Sequence, residues 1–353
     1  MSKIIEFHVL QQFAPGNLNR DDTGAPKDAY FGGVRRARIS SQSFKRAIRR
    51  FFASARLLED QELADRTKRL AASLASRLEG KLADPQKAAK ELLELASLKV
   101  KKVKEADHTE YLLFIGHHDV DRLAEVAVKF EGRLTGSEPK KAVQEILSSN
   151  RAVDVALFGR MLADAKDFNV DAAAQVAHAL STHRVEREFD FFTAVDDLAA
   201  GDEAVSGMLG TVDFNSACYY RYAVVHAGLL EDNLGGDREL VSRALSAFLT
   251  AYVRAIPSGK QNTFAAHNPP QFVAVRVRDD APINLAGAFE RSIQARDGYM
   301  NASVVALQVH WKQLEAAYGA AGTALVLDLS GAWEGETVAS LYALREGLLK
   351  AVG

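Results

Sequence analysis

The first apolar residues of the chain alternate with polar ones, which is the pattern of a strand. Over residues 3–10, Ile5, Phe7 and Val9 alternate with polar or charged neighbours, and this predicts a strand with one buried face. The next apolar stripe has the spacing of one face of an α-helix and consists of Phe44, Ala47, Ile48 and Phe51. A strand, a polar segment and an amphipathic helix are therefore predicted in this order.

The composition changes between residues 53 and 150, where Ala, Leu, Lys and Glu dominate and β-branched residues are sparse. Apolar residues recur there at helical spacing, and Pro85 and Pro139 stand where helices would begin. This part of the chain contains no repeat of fixed period. The pattern predicts a mainly helical insertion at 53–150.

Strand and helix patterns alternate through the rest of the chain. They predict, in order, a strand at 152–157, a projecting β-hairpin over about 183–210, a strand at 214–230, a helix at 238–256, a strand at 271–277, helices at about 285–295 and 303–318, a strand at 324–329 and a last helix from Glu336. Without the insertion and the hairpin, the order is strand, helix, strand, strand, helix, strand. This order predicts an α+β fold with a ferredoxin-like (RNA-recognition-motif-like) core formed by residues 1–52 and 151–353.

The bulk composition bounds the class of protein. With 353 residues, of which 48% are hydrophobic, the chain is long enough to bury a large core. The single cysteine, Cys218, excludes an intramolecular disulfide and fits a reducing compartment. No N-terminal signal pattern occurs, and no apolar run approaches the roughly 20 residues of a membrane span. We therefore expect a soluble, cytoplasmic protein without a membrane partner.

Positive charge is concentrated in residues 18–50. This stretch, called the basic segment below, has nine basic and three acidic residues and hence a net charge of +6, whereas the whole chain has −2. A strong local field within a nearly neutral protein is typical of an anion-binding surface. The basic segment is therefore the first candidate for a nucleic-acid site.

The predicted helix of the basic segment carries cations on the face opposite its apolar stripe: Lys45, Arg46, Arg49 and Arg50. Lys45 and Arg49 are one turn apart, about 5–6 Å between Cβ atoms, which is of the order of the spacing of successive phosphates. Either Ser40 or Ser41 can cap the helix, and its free N–H groups, next to Gln42, favour an anion. No acid three or four residues away pairs these cations. Phosphate binding is favoured, and a solvated basic face is the alternative.

The turn at residues 258–261 resembles a nucleotide-binding loop only superficially. The glycine expected five positions before Gly259 is Arg254, and Gln261 stands where such loops have Ser or Thr. The turn therefore offers Lys260 and Gln261 as donors to a phosphate, or it is an ordinary connection between a helix and a strand. The histidines at 108, 117 and 118 lack the spacing of a metal centre, and no metal ion or cofactor is predicted.

An acidic pair at the start of the basic segment is the most serious catalytic candidate. Asp21 and Asp22 could hold Mg²⁺ next to a bound nucleic acid and assist phosphodiester cleavage. The alternative, which we favour, is that these acids pair with Arg20, Arg35 or Arg36 and order the loop.

The predicted hairpin carries bulky residues near its tip, namely Phe191, Phe192, Thr193 and Val195. Exposed aromatic residues beside a basic groove can stack on unpaired bases, and each stacked base contributes about 1–3 kcal/mol. Burial in the core or in a subunit contact is the alternative for such a pair of phenylalanines.

Several motifs resemble the CasC family. They are NRDD, KDAYFGG and RRARISSQSFKRAIR in the basic segment, GRM at 159–161 and FFTAVDDL at 191–198. CasC proteins are the backbone subunits (the Cas-seven class) of Cascade, the type I-E CRISPR surveillance complex. The similarity is nearly continuous over 8–49, is good over 153–198, extends through 214–222 and 260–269, and is poor over the insertion.

The resemblance implies a repeated, non-catalytic subunit that polymerises along a CRISPR guide RNA. Its implied contacts to the RNA backbone are Arg20, Lys27, Arg38, Ser40, Gln42, Lys45, Arg46 and Arg49, to which the turn adds Lys260 and Gln261. The hairpin resembles the thumb of the family, which wedges into the guide–target duplex and flips out a base. Met161 matches the residue that packs the displaced base, and the family commonly has Trp where this chain has Phe191.

The implied partners are the guide RNA, the target DNA strand, other copies of the chain, and the large, small and guide-end-capping subunits of Cascade. Lys140 and Lys141, which begin a predicted helix of the insertion (the fingers), are candidates for contacts to target DNA. Two other functions remain open. One is a metal-dependent RNase of the type III backbone-subunit kind that uses Asp21 and Asp22, and the other is a monomeric single-stranded-RNA-binding module.

Overall fold

The computed structural model describes residues 3–104, 106–149, 151–162, 165–194, 208–319 and 322–353. Its strands are β1 (Ile4–Gly16), β2 (Asp28–Phe31), β3 (Val34–Ile39), β4 (Ala64–Thr67), β5 (Val100–Val103), β6 (Ala106–Thr109), β7 (Leu113–Gly116), β8 (Ala174–Val176), β9 (Ala179–Ser181), β10 (Glu188–Ala194), β11 (Met208–His226), β12 (Phe272–Arg278) and β13 (Thr323–Asp328). Its helices are α1 (Ser41–Ser54), α2 (Leu70–Leu78), α3 (Pro85–Leu95), α4 (His117–Lys129), α5 (Ser137–Ser148), α6 (Val153–Phe158), α7 (Ala227–Asn233), α8 (Arg238–Arg254), α9 (Gln261–Phe264), α10 (Met300–Tyr318) and α11 (Leu341–Val352).

A large antiparallel sheet forms the centre of the fold. Its main order is β13-β12-β1-β11-β9-β3-β2, and β8 and β10 also pair with β11. β1 lies in the middle, where Phe7 is opposite Ala223 of β11 on one side and Val275 of β12 on the other. The predicted α+β combination of helices with an antiparallel sheet is confirmed.

Both faces of the central strand are buried, so the predicted single buried face is wrong. On one face, the ring of Phe7 lies 5.2 Å from that of Phe248 in α8, in a core that α1 and α11 also line. On the other face, His8 lies 5.2 Å from Trp311 of α10 and forms a 2.9 Å hydrogen bond with the hydroxyl of Tyr220. Burial lowers the pKa of His8 to about 3, so its ring is neutral at physiological pH. α10 therefore closes the second face of the sheet.

The helix α1 is fixed to the sheet by its apolar stripe and by a buried arginine. Of the predicted stripe, Phe44 and Ile48 are buried and Ala47 and Phe51 are half-buried, and Phe52 is buried in addition. The guanidinium carbon of Arg221 lies 4.2 Å from the ring centroid of Phe44 and 4.7 Å from that of Tyr252 in α8. These contacts hold α1 between β11 and α8, with its polar face directed outward.

The region predicted as a helical insertion contains α2 to α5 and two small sheets, β4-β7 and β5-β6. Its helices bury a core of their own, in which Leu74, Leu92, Leu123 and Val143 are each at most 2% exposed. A second core therefore forms beside that of the large sheet. The boundaries at 53 and 150 stay a prediction.

Two predicted elements are wrong, and a polar segment for which no strand was predicted forms a β-hairpin. Most of the residues predicted as a strand at 152–157 form the helix α6 instead, because every residue of Val153–Phe158 is buried, Asp154 included, and a run that is buried on all sides has no period that distinguishes a helix from a strand. The helix predicted at 285–295 is only the 3₁₀ turn Leu285–Phe289. The polar stretch between β1 and α1 forms the hairpin β2-β3, which turns at Gly32 and Gly33.

The predicted projecting hairpin is formed by β10 and the first part of β11. Phe191 pairs with Thr211, and Phe192 with Gly210. Of the residues predicted near the tip, Phe191, Phe192 and Thr193 lie in β10, whereas Val195 belongs to residues 195–207, which lie outside the described part of the chain. Among the helices in the described ranges, none combines the length and the apolar character needed to cross a bilayer.

Candidate nucleic-acid interface

The N-terminus of α1 is capped by Ser40, which decides between the two predicted serines. The Ser40 hydroxyl accepts a hydrogen bond from the Ser43 N–H (3.3 Å), and the Asn19 side-chain oxygen accepts one from the Ser40 N–H (2.8 Å). Gln42, in the first turn, is exposed. The capping hydroxyl is therefore already engaged, whereas the Gln42 amide remains accessible to an anion at this end of the helix.

The arginines of β3 differ in what they contact. Arg36 is fully buried and donates to backbone carbonyls, so it is not available to a ligand. Arg35 forms an ion pair with Asp28 (2.8 Å). Arg38 donates to the Asp28 carbonyl (3.1 Å) and lies 3.2 Å from His178.

Arg38 and Lys27 form a positive neighbourhood around His178. The pKa of His178 is lowered first by burial and then by the charges of Arg38 and Lys27. The side chains of both cations are half-buried. The structure thus places the predicted residues Lys27 and Arg38 together, at the base of the hairpin β2-β3.

Three cations of α1 were predicted to contact RNA, namely Lys45, Arg46 and Arg49, and they differ in exposure and in the groups they contact. Arg46 is exposed, and Lys45 is half-buried, with its pKa lowered by burial and by the charge of Arg66. Arg49 forms a 3.0 Å ion pair with Asp154 of α6. The expectation that no acid pairs these cations is therefore wrong for Arg49, because its partner lies 105 residues away in the sequence.

Arg66 of β4 is a candidate that the sequence did not single out. Its guanidinium carbon lies 4.7 Å from the ring centroid of Phe114, and that of Arg49 lies 4.3 Å from the same ring. Arg66 is in the insertion, where the resemblance is poor and where cations are common on solvated helix faces. Only its position next to Lys45 in three dimensions identifies it.

A groove separates the insertion from the rest of the chain at this point, and we call it the insertion groove. It has a volume of about 500 Å³ and is lined by Arg66, Leu112 and Phe114 from the insertion and by residues 158–161 and 169–172 opposite them. Met161, at its rim, is 88% exposed. Met161 therefore does not fill the core, and the predicted base-packing residue lies in the groove that has Arg66 in its lining.

Two further surface depressions lie beside α1 and the loop at residues 18–24. One has Arg46 and Arg50 in its lining together with residues 255–259, and the other has Arg20 in its lining together with residues 18–24 and Gly259. Gly259 lies in both, and a Cβ atom there would be 2.4 Å from the Leu18 carbonyl oxygen. The close packing of these loops brings Arg20, Arg46 and the predicted turn to one surface.

The turn at residues 258–261 differs from the prediction at Gln261. Lys260 is half-buried, with a left-handed backbone (φ 48°). The Gln261 amide nitrogen donates to the carbonyls of Pro257 (3.1 Å) and Ala266 (3.3 Å). Gln261 therefore holds the turn together, and its predicted donor function towards a phosphate competes with these bonds.

The acidic pair orders its own loop. The Asp21 carboxylate accepts hydrogen bonds from the Thr23 hydroxyl (2.7 Å) and from the N–H groups of Thr23 (2.9 Å) and Ala25 (3.0 Å). These bonds, the Thr23 hydroxyl first, lower the pKa of Asp21. Its nearest cation is Arg187, at 4.0 Å.

The predicted pairing of the acids with Arg20, Arg35 or Arg36 is therefore wrong, although the ordering of the loop is as expected. Arg35 is occupied by Asp28, and Arg36 is buried. Asp22 is exposed. Across the described ranges, no group of three or more His, Cys, Asp or Glu side chains is arranged to hold a metal ion.

The two faces of the hairpin carry different aromatic residues. Phe189 and Phe191, on one face, are each 66% exposed. Phe192, on the other face, is 39% exposed, and its ring covers Gly210, where a Cβ would lie 2.4 Å from the ring. Thr193 is exposed on the face of Phe191, and Val195 lies outside the described residues. The hairpin therefore presents Phe189 and Phe191 to solvent, of which the sequence singled out only Phe191.

The two lysines predicted to meet target DNA lie apart from α1. Lys140 and Lys141 are exposed in the first part of α5. They are therefore accessible to a second strand.

Comparisons with known proteins identify the family. A family model described as CT1975-like protein matches residues 5–346. A solved structure named "CRISPR RNA-guided surveillance complex, pre-nicking" contains a similar chain, with 33% identity and a TM-score of 0.88 over 99% of this chain and 100% of that chain. A second, named "CRISPR RNA-guided surveillance complex", has 26% identity and a TM-score of 0.76 over 99% of both chains.

A comparison with curated proteins gave no match. The family model and both solved structures nevertheless cover nearly the whole chain, including the insertion, where the sequence motifs were poor. These matches confirm the resemblance to CRISPR Cascade proteins that the motifs indicated, and the chain belongs to the CT1975-like family.

Proposed function

We propose that this chain is the guide-RNA-binding backbone subunit of a type I-E CRISPR Cascade complex. The observation that carries the proposal is the similarity over 99% of the chain, at 33% identity, to a subunit of a CRISPR RNA-guided surveillance complex. The basic segment supports it, since Arg20 and Arg46 line surface depressions, Lys27 and Lys45 are only half-buried, and all four can bind phosphates.

We further propose that the core is ferredoxin-like. The order β12-β1-β11-β9, with every neighbouring pair antiparallel and α1 and α8 on one face, supports this assignment. RNA-recognition modules of this plan stack bases on the open face of the sheet. Here α10 covers that face, so the RNA would bind at the edge formed by α1 and the insertion groove instead. This difference disfavours the alternative of a monomeric module that binds RNA on its sheet.

The hairpin suits a role between copies of the chain. Phe189 and Phe191 are exposed on a two-stranded ribbon, which can contact a neighbouring subunit or unstacked bases. A head-to-tail interface of this kind generates a filament rather than a closed dimer. Sequence recognition would then belong to pairing between the guide and the target DNA strand, with Lys140 and Lys141 contacting the target backbone and Met161 a displaced base.

In this proposal the protein works in the cytoplasm beside the large, small and guide-end-capping subunits of the complex. Its own contribution is the contact to the RNA backbone and the division of the guide into segments. Both contributions require many copies per guide.

Repeated binding predicts that the number of copies increases with RNA length. We expect light scattering of the purified chain with RNAs of increasing length to give masses that rise in steps of one subunit. A one-to-one complex at every length would contradict the proposal and support the monomeric module. An equally long double-stranded RNA is the control and should recruit fewer copies, because its bases are not free.

The subunit is proposed to be non-catalytic. Asp21 is occupied by its own loop, which leaves Asp22 as the one exposed carboxylate of the pair. We expect RNA incubated with the chain and Mg²⁺ to remain intact on a denaturing gel, and Asp22→Ala to change nothing. Cleavage by the wild-type chain that Asp22→Ala abolishes would establish the RNase alternative.

A further inference from the structure

Arg49 joins four separate parts of the fold. From α1 its Nε donates to Asp154 Oδ2 in α6 (3.0 Å), and its Nη2 donates to the Ala64 carbonyl in β4 (3.0 Å). Its guanidinium carbon also lies 4.3 Å from the ring centroid of Phe114 in β7. The Arg49 side chain is 17% exposed. Arg49 therefore lies against one face of the Phe114 ring, below the surface of the insertion groove.

Asp154 is the acid that fixes this arrangement. Its side chain is 2% exposed, and Oδ1 has no hydrogen-bond partner. Burial raises the pKa of Asp154 to about 6, against the opposing effect of Arg49. The charged groups that face it are Arg49 from α1, Arg66 from β4 and His117 from α4. A buried carboxylate of this kind is costly unless a cation compensates it.

The neighbouring cations Lys45 and Arg66 pack on aromatic rings and not against an acid, although the charge of Asp154 acts on Arg66 and opposes the lowering of its pKa by burial. Lys45 Nζ lies 6.0 Å from the ring centroid of Phe158, and Arg66 lies over Phe114, on which Arg49 also packs. Among the described residues, neither Lys45 nor Arg66 forms an ion pair within 4.0 Å, and the charge of Arg66 lowers the pKa of Lys45. Two cations without an ion pair thus remain near the insertion groove, whose lining also includes Asp171, while Arg49 is neutralised by its buried partner.

We propose that Asp154 is a positioning residue that withholds Arg49 from nucleic acid, so that the insertion groove binds phosphate through Lys45 and Arg66. This inference rests on the proposed function, because it concerns the surface that would bind the guide RNA. It differs from what the motifs imply, since they place Arg49 among the phosphate contacts. The buried carboxylate limits the positive charge of the groove by one unit and anchors the insertion to α1.

The consequence is that removing the acid should strengthen RNA binding. In Asp154→Asn, Arg49 loses its charged partner but keeps its full charge and its place beside the groove. One additional uncompensated cation adds about 0.7 to the slope of log affinity against log salt for a single strand. At about 0.1 M salt this corresponds to roughly fivefold tighter binding.

The test measures fluorescence anisotropy of a short labelled single-stranded RNA with the full-length chain, between about 50 and 200 mM salt. We expect Asp154→Asn to steepen the slope by about 0.7 and Arg49→Gln/Asp154→Asn to restore the wild-type slope, because the double variant removes an opposite pair. An unchanged slope in Asp154→Asn would overturn the inference. Thermal unfolding of each variant shows whether it is folded.

If Asp154→Asn does not fold, the double variant decides, since Asn has the shape of Asp and the variant leaves no buried charge without a partner at this pair. A slope equal to that of the wild type supports the inference. A slope lower by about 0.7 overturns it, because Arg49 is then already a phosphate contact. Failure of the proposed function is distinguishable, since in that case the wild-type chain itself shows no salt-dependent binding of RNA.

Discussion

Replacing Lys45 and Arg66 together by alanine should weaken RNA binding by about a hundredfold. A hydrogen bond to a charged partner contributes roughly 1.5–3 kcal/mol, which is at least about tenfold in affinity for each cation. Lys45 and Arg66 lie close enough for the charge of Arg66 to lower the pKa of Lys45. Arg66 lines the insertion groove, and Lys45 Nζ lies 6.0 Å from the ring centroid of Phe158 in the lining of the same groove. The loss should be the same for all RNA sequences, because contacts to phosphates carry no sequence information.

The measurement is a salt titration of RNA affinity, in which the slope should fall by about 1.4. Lys312→Ala/Arg345→Ala is the matched control, because it removes the same formal charge from the exposed Lys312 and the half-buried Arg345, which are paired with Glu334 and Glu346. This control should bind RNA nearly as tightly as the wild type. An equal loss in both variants would mean that net charge, and not the groove, determines the affinity.

Arg36→Met should lower the free energy of unfolding by about 4 kcal/mol or more. All five N–H donors of Arg36 are used, at 2.8–3.1 Å, in a fully buried site. Their acceptors are the carbonyls of Phe31, Ser181, Thr182, Phe289 and Glu290. Met fills part of the volume but satisfies none of these acceptors, and an unsatisfied buried carbonyl costs about 1–3 kcal/mol.

Urea unfolding monitored by tryptophan fluorescence checks this expectation, since Trp311 and Trp333 lie in the core on the same side of the sheet as Phe289. Arg35→Ala is the control, because the neighbouring Arg35 guanidinium is partly exposed and contacts the Asp28 carboxylate and the exposed ring of Tyr30, so the midpoint of this variant should change little. Arg36→Lys should recover part of the stability, since Lys has three donors. If the unfolding midpoint of Arg36→Met equalled that of Arg35→Ala, the hydrogen bonds of Arg36 would not stabilise the fold as we expect.

Elements that depend on local pattern were predictable from the sequence. The stripe of Phe44 and Ile48 and a serine cap at Ser40 or Ser41 follow from spacing within one helix. The helices α8 and α10 and the strand β12 were predicted within three residues of their observed bounds. The helix α6 was not predictable, since a run that is buried on all sides looks the same as a strand. The second buried face of β1 depends on α10, almost 300 residues later in the chain.

The candidate site shows the same difference between features that local sequence predicts and features that depend on distant residues. Phosphate candidates on α1 could be proposed from one turn of helix, because Lys45 and Arg46 are neighbours in the sequence. The compensation of Arg49 by Asp154 and the position of Arg66 depend on how the insertion packs against α6, which no local spacing encodes. The sequence therefore indicated where cations are concentrated. Only the fold distinguishes the cations that can bind a phosphate from those that are held in contacts within the chain.

The closure of the sheet by α10 also affects how distant relatives should be sought. His8, Tyr220 and Tyr222 lie on the middle strands, where surveys for ribonucleoprotein motifs look for base-stacking rings, yet here they are interior and contact each other or Trp311. Natural selection on these positions would preserve shape and hydrogen bonding within the chain instead of affinity for a ligand. A motif survey that scores aromatic residues on the central strands would consequently judge such proteins by residues that never meet nucleic acid.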